Sequence, residues 1–168
     1  MGFDPQPTLE GELLRVRPLC ADDFDALFEV ANDQLLWEQH PEERWHVNVF
    51  RAYFDEQLAS GGALTVVERA TDDLIGSSRY HDYSIDRGEV EIGWTFLARR
   101  CWGGAYNAEL KQLMLDHAFQ CFENVVFLVD EHNVRSRRAI EKLGAIENGT
   151  RRGMVLYEIT RRSPDPRA

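Results

Sequence analysis

No stretch of the chain approaches the ~18 consecutive apolar residues that a membrane-spanning helix needs, and the N-terminal segment lacks a basic-then-apolar secretory pattern. No membrane partner is expected, and a cytoplasmic address is. Cysteine is sparse too. Cys20, Cys101 and Cys121 are odd in number and lack metal-ligand spacing, which argues against a disulfide framework and a zinc site and suits reduced thiols. Positive charge is in deficit, with 19 Lys and Arg against 29 Asp and Glu and a formal net charge of −10. That balance argues against a nucleic-acid partner, whose phosphates must be neutralised by basic side chains. Arginine nonetheless gathers in two short clusters, Arg99 with Arg100, and Arg135 with Arg137 and Arg138, where a local anion could bind.

What is present is the material of one globular domain. With 168 residues, 43% of them hydrophobic, the chain can bury a substantial single core, and no Gly-, Pro- or Ser-rich linker or internal repeat divides it. One domain over 1–168 is expected, ordered from about residue 9 to 161, with loose tails where the apolar pattern fails. Leu13, Val16 and Leu19 predict a first strand. Phe24, Leu27, Phe28 and Ala31 recur at helical spacing behind Asp22 and Asp23, which favour a helix N-terminus. A loop from Leu35 to Trp45 precedes a second helix carrying Val49, Phe50, Tyr53, Phe54 and Leu58. ALTVVE and LIGSSRY then predict a hairpin.

In EVEIGWTFL, Val90, Ile92, Trp94 and Phe96 alternate with Glu89, Glu91, Gly93 and Thr95, so a strand is predicted with the second set on the opposite face. Residues 106–122 are apolar around most of a helix, with Gln112, Asp116, Gln120 and Glu123 as a narrow polar stripe. VVFLV reads as a strand covered on both faces. Asn133 can cap a short helix that Gly144 ends, and MVLYEIT closes the sheet. The order predicts a mixed α/β fold.

Two helix mouths carry the chemistry. RCWGGAY joins a strand to a helix through adjacent glycines, and about thirty residues later NVRSRRAIEKLGA places Asn133, Ser136 and a basic face at another. A glycine-lined helix N-terminus can cradle a phosphate on its backbone amides, helped by the helix dipole. A tight turn would use the same glycines, but two such mouths fit one extended ligand.

These segments resemble the GNAT superfamily of N-acetyltransferases. Arg100, Gly103 and Ala105 match its cofactor loop in register, and VVFLV, Asn133 and Lys142-Leu143-Gly144 match the strand and helix that follow. EIGWTFL, YN-x-E-x-K and N-x-x-S-x-x-A-I-E-K-L-G are most similar to the bacterial branch that includes ribosomal-protein N-terminal acetyltransferases. The resemblance implies a mostly antiparallel twisted sheet with a central parallel pair splayed around acetyl-CoA and about four helices, acting as monomer or homodimer. It implies pantetheine contacts at Phe96 and Leu97, pyrophosphate contacts at Arg100, Trp102, Gly103, Gly104, Ala105 and Tyr106, a pantetheine contact at Asn133, and adenosine phosphates at Arg137 or Arg138. No metal is implied.

The acceptor amine must be neutral to attack. At pH 7 that costs about 4.6 kcal/mol for a lysine side chain of pKa ~10.4, but only about 1 to 1.4 kcal/mol for an α-amine of pKa ~7.7 to 8.0. By resemblance Glu91 is the candidate base, with Glu89 as competitor and an ordinary ion-paired role as the alternative. Ile140 stands where many relatives carry the tyrosine that protonates the departing thiolate. Ser136, one turn earlier, is the candidate donor, or a cap of its helix. An acyl-enzyme on Cys101 is a rival route. Trp37, His40, Trp45, Tyr80 and Tyr83 are candidate walls of the acceptor cleft, and His81, His117 and His132 have no evident partner. The alternative function is a non-catalytic acyl-CoA-binding sensor or interaction module.

Overall fold

The computed structural model describes residues 2–161. Eight strands form one sheet: β1 (Leu9–Glu10), β2 (Leu14–Pro18), β3 (Ala63–Glu68), β4 (Leu74–Ser84), β5 (Glu89–Leu97), β6 (Asn124–Val129), β7 (Ile146–Arg151) and β8 (Met154–Thr160), in the order β1-β2-β3-β4-β5-β6-β8-β7. All neighbours are antiparallel except β5 and β6. Four α-helices complete the fold: α1 (Phe24–Ala31), α2 (Val47–Ala59), α3 (Ala105–Ala118) and α4 (Val134–Lys142). The predicted mixed sheet with one parallel pair is therefore present. The loose tail expected after residue 161 lies outside the described residues.

Strand alternation divides the apolar side chains into two packed groups. Leu64, Val66, Ile75, Val90, Ile92 and Val125 meet Leu110, Met114 and Ala118 of α3, whereas Leu27, Phe50, Tyr53 and Phe54 of α1 and α2 meet Ala63 and Phe96. Each fully buried side chain of this size contributes about 1.5–3 kcal/mol relative to exposure. Asp23 anchors α1 to the sheet, accepting from Arg17 at 2.7 and 2.9 Å and from the Thr65 hydroxyl at 2.8 Å. Glu109 of α3 accepts from the backbone N–H groups of Glu12, Leu13 and Leu14, fixing the turn between β1 and β2.

Two expectations need correction, and one strand was not foreseen. The long apolar helix ends at Ala118 rather than 122, because the chain turns to drop Phe122 into the core while Glu123 and Asn124 bond to the Gly88 carbonyl. β7 is polar and exposed, so no periodicity announces it, and its hairpin with β8 closes through Arg152 and Gly153, both at positive φ. The second correction concerns β5 and shapes the site.

Candidate active site

The alternation expected along β5 breaks at Trp94. Ser77 of β4 faces Phe96, yet Arg79 faces Gly93, so β5 carries one extra residue here, with Trp94 at φ 51°. This bulge reverses the later half of the strand. Glu91, Gly93 and Phe96 share the face of α1 and α2, while Ile92, Thr95 and Leu97 face α3. Trp94 and Phe96 are thus not on the face of Val90 and Ile92, nor Thr95 on that of Glu91. A left-handed tryptophan costs of order 1–3 kcal/mol, and three neighbours hold it. The Arg79 guanidinium lies 4.2 Å over its ring, His81 meets it edge-on at 4.9 Å, and the Tyr53 hydroxyl donates to its carbonyl at 3.2 Å.

Beyond the bulge the sheet opens. β5 and β6 pair only from Glu89↔Asn124 to Glu91↔Val126, although β5 continues to Leu97 and β6 to Val129. Two strand edges therefore part without pairing to each other, a slot fitted to a chain that brings amides of its own.

The slot leads to the N-terminus of α3. Gly104 is the cap residue, no side chain accepts from the first turn, and Gly103 turns the chain at φ 69°. A Cβ built on either glycine would meet nothing within 4 Å, so the loop is open on this side. The loop's larger side chains brace it from behind. Arg100 donates to Glu68 at 2.7 and 3.2 Å, the Tyr106 hydroxyl donates to the same carboxylate at 2.5 Å, and Trp102 Nε1 donates to the Leu97 carbonyl at 3.0 Å. Arg100, then Tyr106, hold the Glu68 carboxyl down at about 2. Arg135 of α4 stacks 3.8 Å from the Trp102 ring and donates to the Leu36 carbonyl.

At the second mouth, Asn133 caps α4 by accepting from the Ser136 N–H at 3.2 Å, which leaves its Nδ2 free of the cap. Arg137 is engaged by the Tyr157 hydroxyl, the Glu131 carbonyl and Glu147, whereas Arg138 is exposed. Ile140 is buried in the core and offers no hydroxyl. On the face of α1 and α2, Glu91 is 3% exposed and accepts from Arg152 at 2.5 Å, while Glu89 takes Arg151 at 2.6 and 3.2 Å. The tip of the β7–β8 hairpin is thereby tied down over β5.

A family model described as an acetyltransferase (GNAT) domain matches residues 14–146. The chain belongs to the GNAT acetyltransferase family. Among solved structures it is similar to a GCN5-related N-acetyltransferase from Brucella melitensis, at 18% identity and TM-score 0.82 over 92% of this chain and 79% of that one. A GNAT-family acetyltransferase from Bacillus anthracis aligns at 19% identity and TM-score 0.75, covering 92% and 98%. RimJ of Mycobacterium smegmatis, solved in complex with CoA-disulfide, aligns at 19% identity and TM-score 0.63, covering 88% and 81%. At such identities these structures bear on the fold alone. Nothing among curated proteins matches the chain.

In this GNAT acetyltransferase the remaining candidates separate clearly. Cys101 is 1% exposed and burial pushes its thiol up, the reverse of an activated nucleophile. Tyr80 is core, donating to the Met114 carbonyl at 2.7 Å, and Trp37 is buried with Nε1 on the Ala31 carbonyl. Tyr83 packs with Phe3 and Phe122, while His117 bonds the Asp4 carbonyl, so both stand apart from the bulge. His132 is exposed beside Glu131, and His40 and Trp45 are half-buried near α2. Beside the bulge lies a groove of about 420 Å³ lined by Glu42, Asn48, Val49, Ala52, Tyr53 and Glu56.

His81 does have partners. It stands across from Glu91 in the β4–β5 register, and its Nδ1 lies 2.9 Å from an Arg79 nitrogen. Arginine only donates, so Nδ1 accepts and the ring proton sits on Nε2. Burial, then Arg79, pushes its pKa down.

Sequence reading missed Lys111. Its side chain crosses from α3 to the Thr95 hydroxyl at 2.5 Å and is 4% exposed. The signal was there: Lys111 falls between Leu110 and Met114 on the apolar face, off the polar stripe.

Proposed function

We propose that the protein transfers an acetyl group from acetyl-CoA directly to an amine, of a protein or peptide N-terminus, an amino acid or a small amine. The observation that carries this reading is the slot between β5 and β6 opening onto the uncapped N-terminus of α3. A pantetheine arm carries amides that could bond the free edge near Phe96 and Leu97. A pyrophosphate would suit the amides from Arg100 to Tyr106, those of Trp102, Gly103, Gly104 and Ala105 included. Asn133 would bond the pantetheine from the other side. Arg138 is better placed than Arg137 to meet adenosine phosphates, since Arg137 is already engaged. When bound, acetyl-CoA supplies an acyl group activated as a thioester.

The chain's own groups do the rest. Glu91 accepts the acceptor's proton, directly or through water, once the acceptor displaces Arg152 from its carboxylate. An α-amine asks less of Glu91 than a lysine side chain does, because the α-amine is deprotonated more cheaply. Ser136, in the first turn of α4, would hydrogen-bond the departing sulfur, directly or through water. Mixing the protein with acetyl-CoA and a panel of amines tests the reading. Release of free thiol with acetylation of one amine class is expected, and cofactor binding without thiol release from any acceptor would favour a non-catalytic acyl-CoA binder instead.

A further inference from the structure

Lys111 stands where the two strands part. Its Nζ donates to Thr95 on the unpaired half of β5 and lies 5.7 Å from the ring centroid of Phe127, the residue after Val126, where the β6 pairing ends. It enters no ion pair among the described residues, and no charged group on β4, β5 or β6 perturbs it. What faces it is the Thr95 hydroxyl, the Ser78 hydroxyl 2.8 Å beyond, and the Phe127 ring. Thr95 does not need it, since Ser78 already satisfies that hydroxyl. Methionine would fill the same volume without desolvating a charge.

We propose that Lys111 is the group that protonates the sulfur leaving acetyl-CoA. This rests on the acetyl-transfer reading above. Glu91 faces α1 and α2, whereas Thr95, Ser78 and Lys111 face α3, so the proton acceptor and the proton donor straddle the slot from opposite faces of the sheet. The acceptor nitrogen bonds the acyl carbon, the carbon–sulfur bond breaks, and its electron pair stays on sulfur. The ammonium of Lys111 gives sulfur a proton and becomes neutral, while the acylated nitrogen loses its extra proton to Glu91. Lys111 regains a proton from solvent after coenzyme A leaves. Burial holds its pKa at about 7, where a group both gives and regains a proton readily. Ser136 can hydrogen-bond the sulfur but holds no proton of comparable acidity, and Ile140 holds none.

The test compares coenzyme A with its desulfo analogue on wild type and Lys111→Met. Wild type should bind both, and with acetyl-CoA its kcat should fall as pH rises above about 7, where Lys111 no longer holds the proton it gives to sulfur. Lys111→Met should bind desulfo-coenzyme A as wild type does, lose that falling limb of kcat, and turn over about 100-fold more slowly with little change in KM for acetyl-CoA. Should Lys111→Met fail to fold, Lys111→Gln makes the same comparison. A falling limb of kcat retained by the variant, or unchanged turnover, would overturn the assignment. Failure of wild type to bind either ligand would overturn the acyl-CoA reading itself, and the assignment with it.

Discussion

Replacing Lys111 by methionine should make the protein more stable, by an amount that depends on pH. The amine falls from its ordinary 10.5 to about 7 on folding. Above about pH 10.5 both states are neutral and nothing is lost. Between about 7 and 10.5 the unfolded chain binds the extra proton, so wild-type stability falls as pH is lowered, by up to about 1.4 kcal/mol per unit. Below about 7 both states are charged and the deficit stays constant. At pH 7 the deficit reaches about 4 kcal/mol. The hydrogen bond to Thr95 returns about 1 kcal/mol, which leaves a net gain of about 3 kcal/mol for Lys111→Met. Urea titrations of both proteins from pH 6 to 10 read this as a gap in midpoint that narrows and closes as pH rises. A variant less stable than wild type at pH 7, or a gap independent of pH, would refute the reasoning.

Three further outcomes are expected. Gly104→Glu meets no neighbour at its Cβ but sets a carboxylate against the proposed pyrophosphate site, so coenzyme A affinity should drop more than tenfold with the melting temperature unchanged, as read by tryptophan quenching and thermal denaturation. Glu68→Gln removes the carboxylate shared by Arg100 and Tyr106 and should lower stability by about 1 to 2 kcal/mol at pH 7. Because the folded carboxyl is held at about 2, its contribution is complete above the ordinary carboxylate range and is lost as pH falls towards about 2, so denaturation curves should converge in acid. Glu91→Gln should reduce kcat about 100-fold with KM for acetyl-CoA unchanged.

The parts of the fold legible in the sequence are those in which periodicity and burial agree. The helical spacing of Phe24, Leu27 and Ala31 and the apolar run of β6 each became the expected element. β7 was silent because both its faces are exposed, leaving no apolar set to alternate. The bulge at Trp94 was hidden for a different reason: a single inserted residue leaves the local pattern intact and shows only in the pairing with β4. Glycines and helix caps marked the two helix mouths well, since backbone geometry restricts which residues can stand there. Side-chain commitments were not visible. Arg100 reaches Glu68 over 32 residues of sequence, and Arg152 reaches Glu91 over 61. The YN-x-E-x-K segment now has a physical reading, with Tyr106 on Glu68, Glu109 on the β1–β2 turn and Lys111 on the open half of β5.

The central claim is that the β5–β6 slot and the α3 N-terminus together form one acyl-CoA site. A crystal structure of the protein with coenzyme A tests it most directly. The pantetheine arm is expected between Phe96–Leu97 of β5 and the end of β6, with the pyrophosphate on the amides from Gly103 to Tyr106. Coenzyme A lying outside the slot, on the exposed arginines of α4 alone, would contradict it.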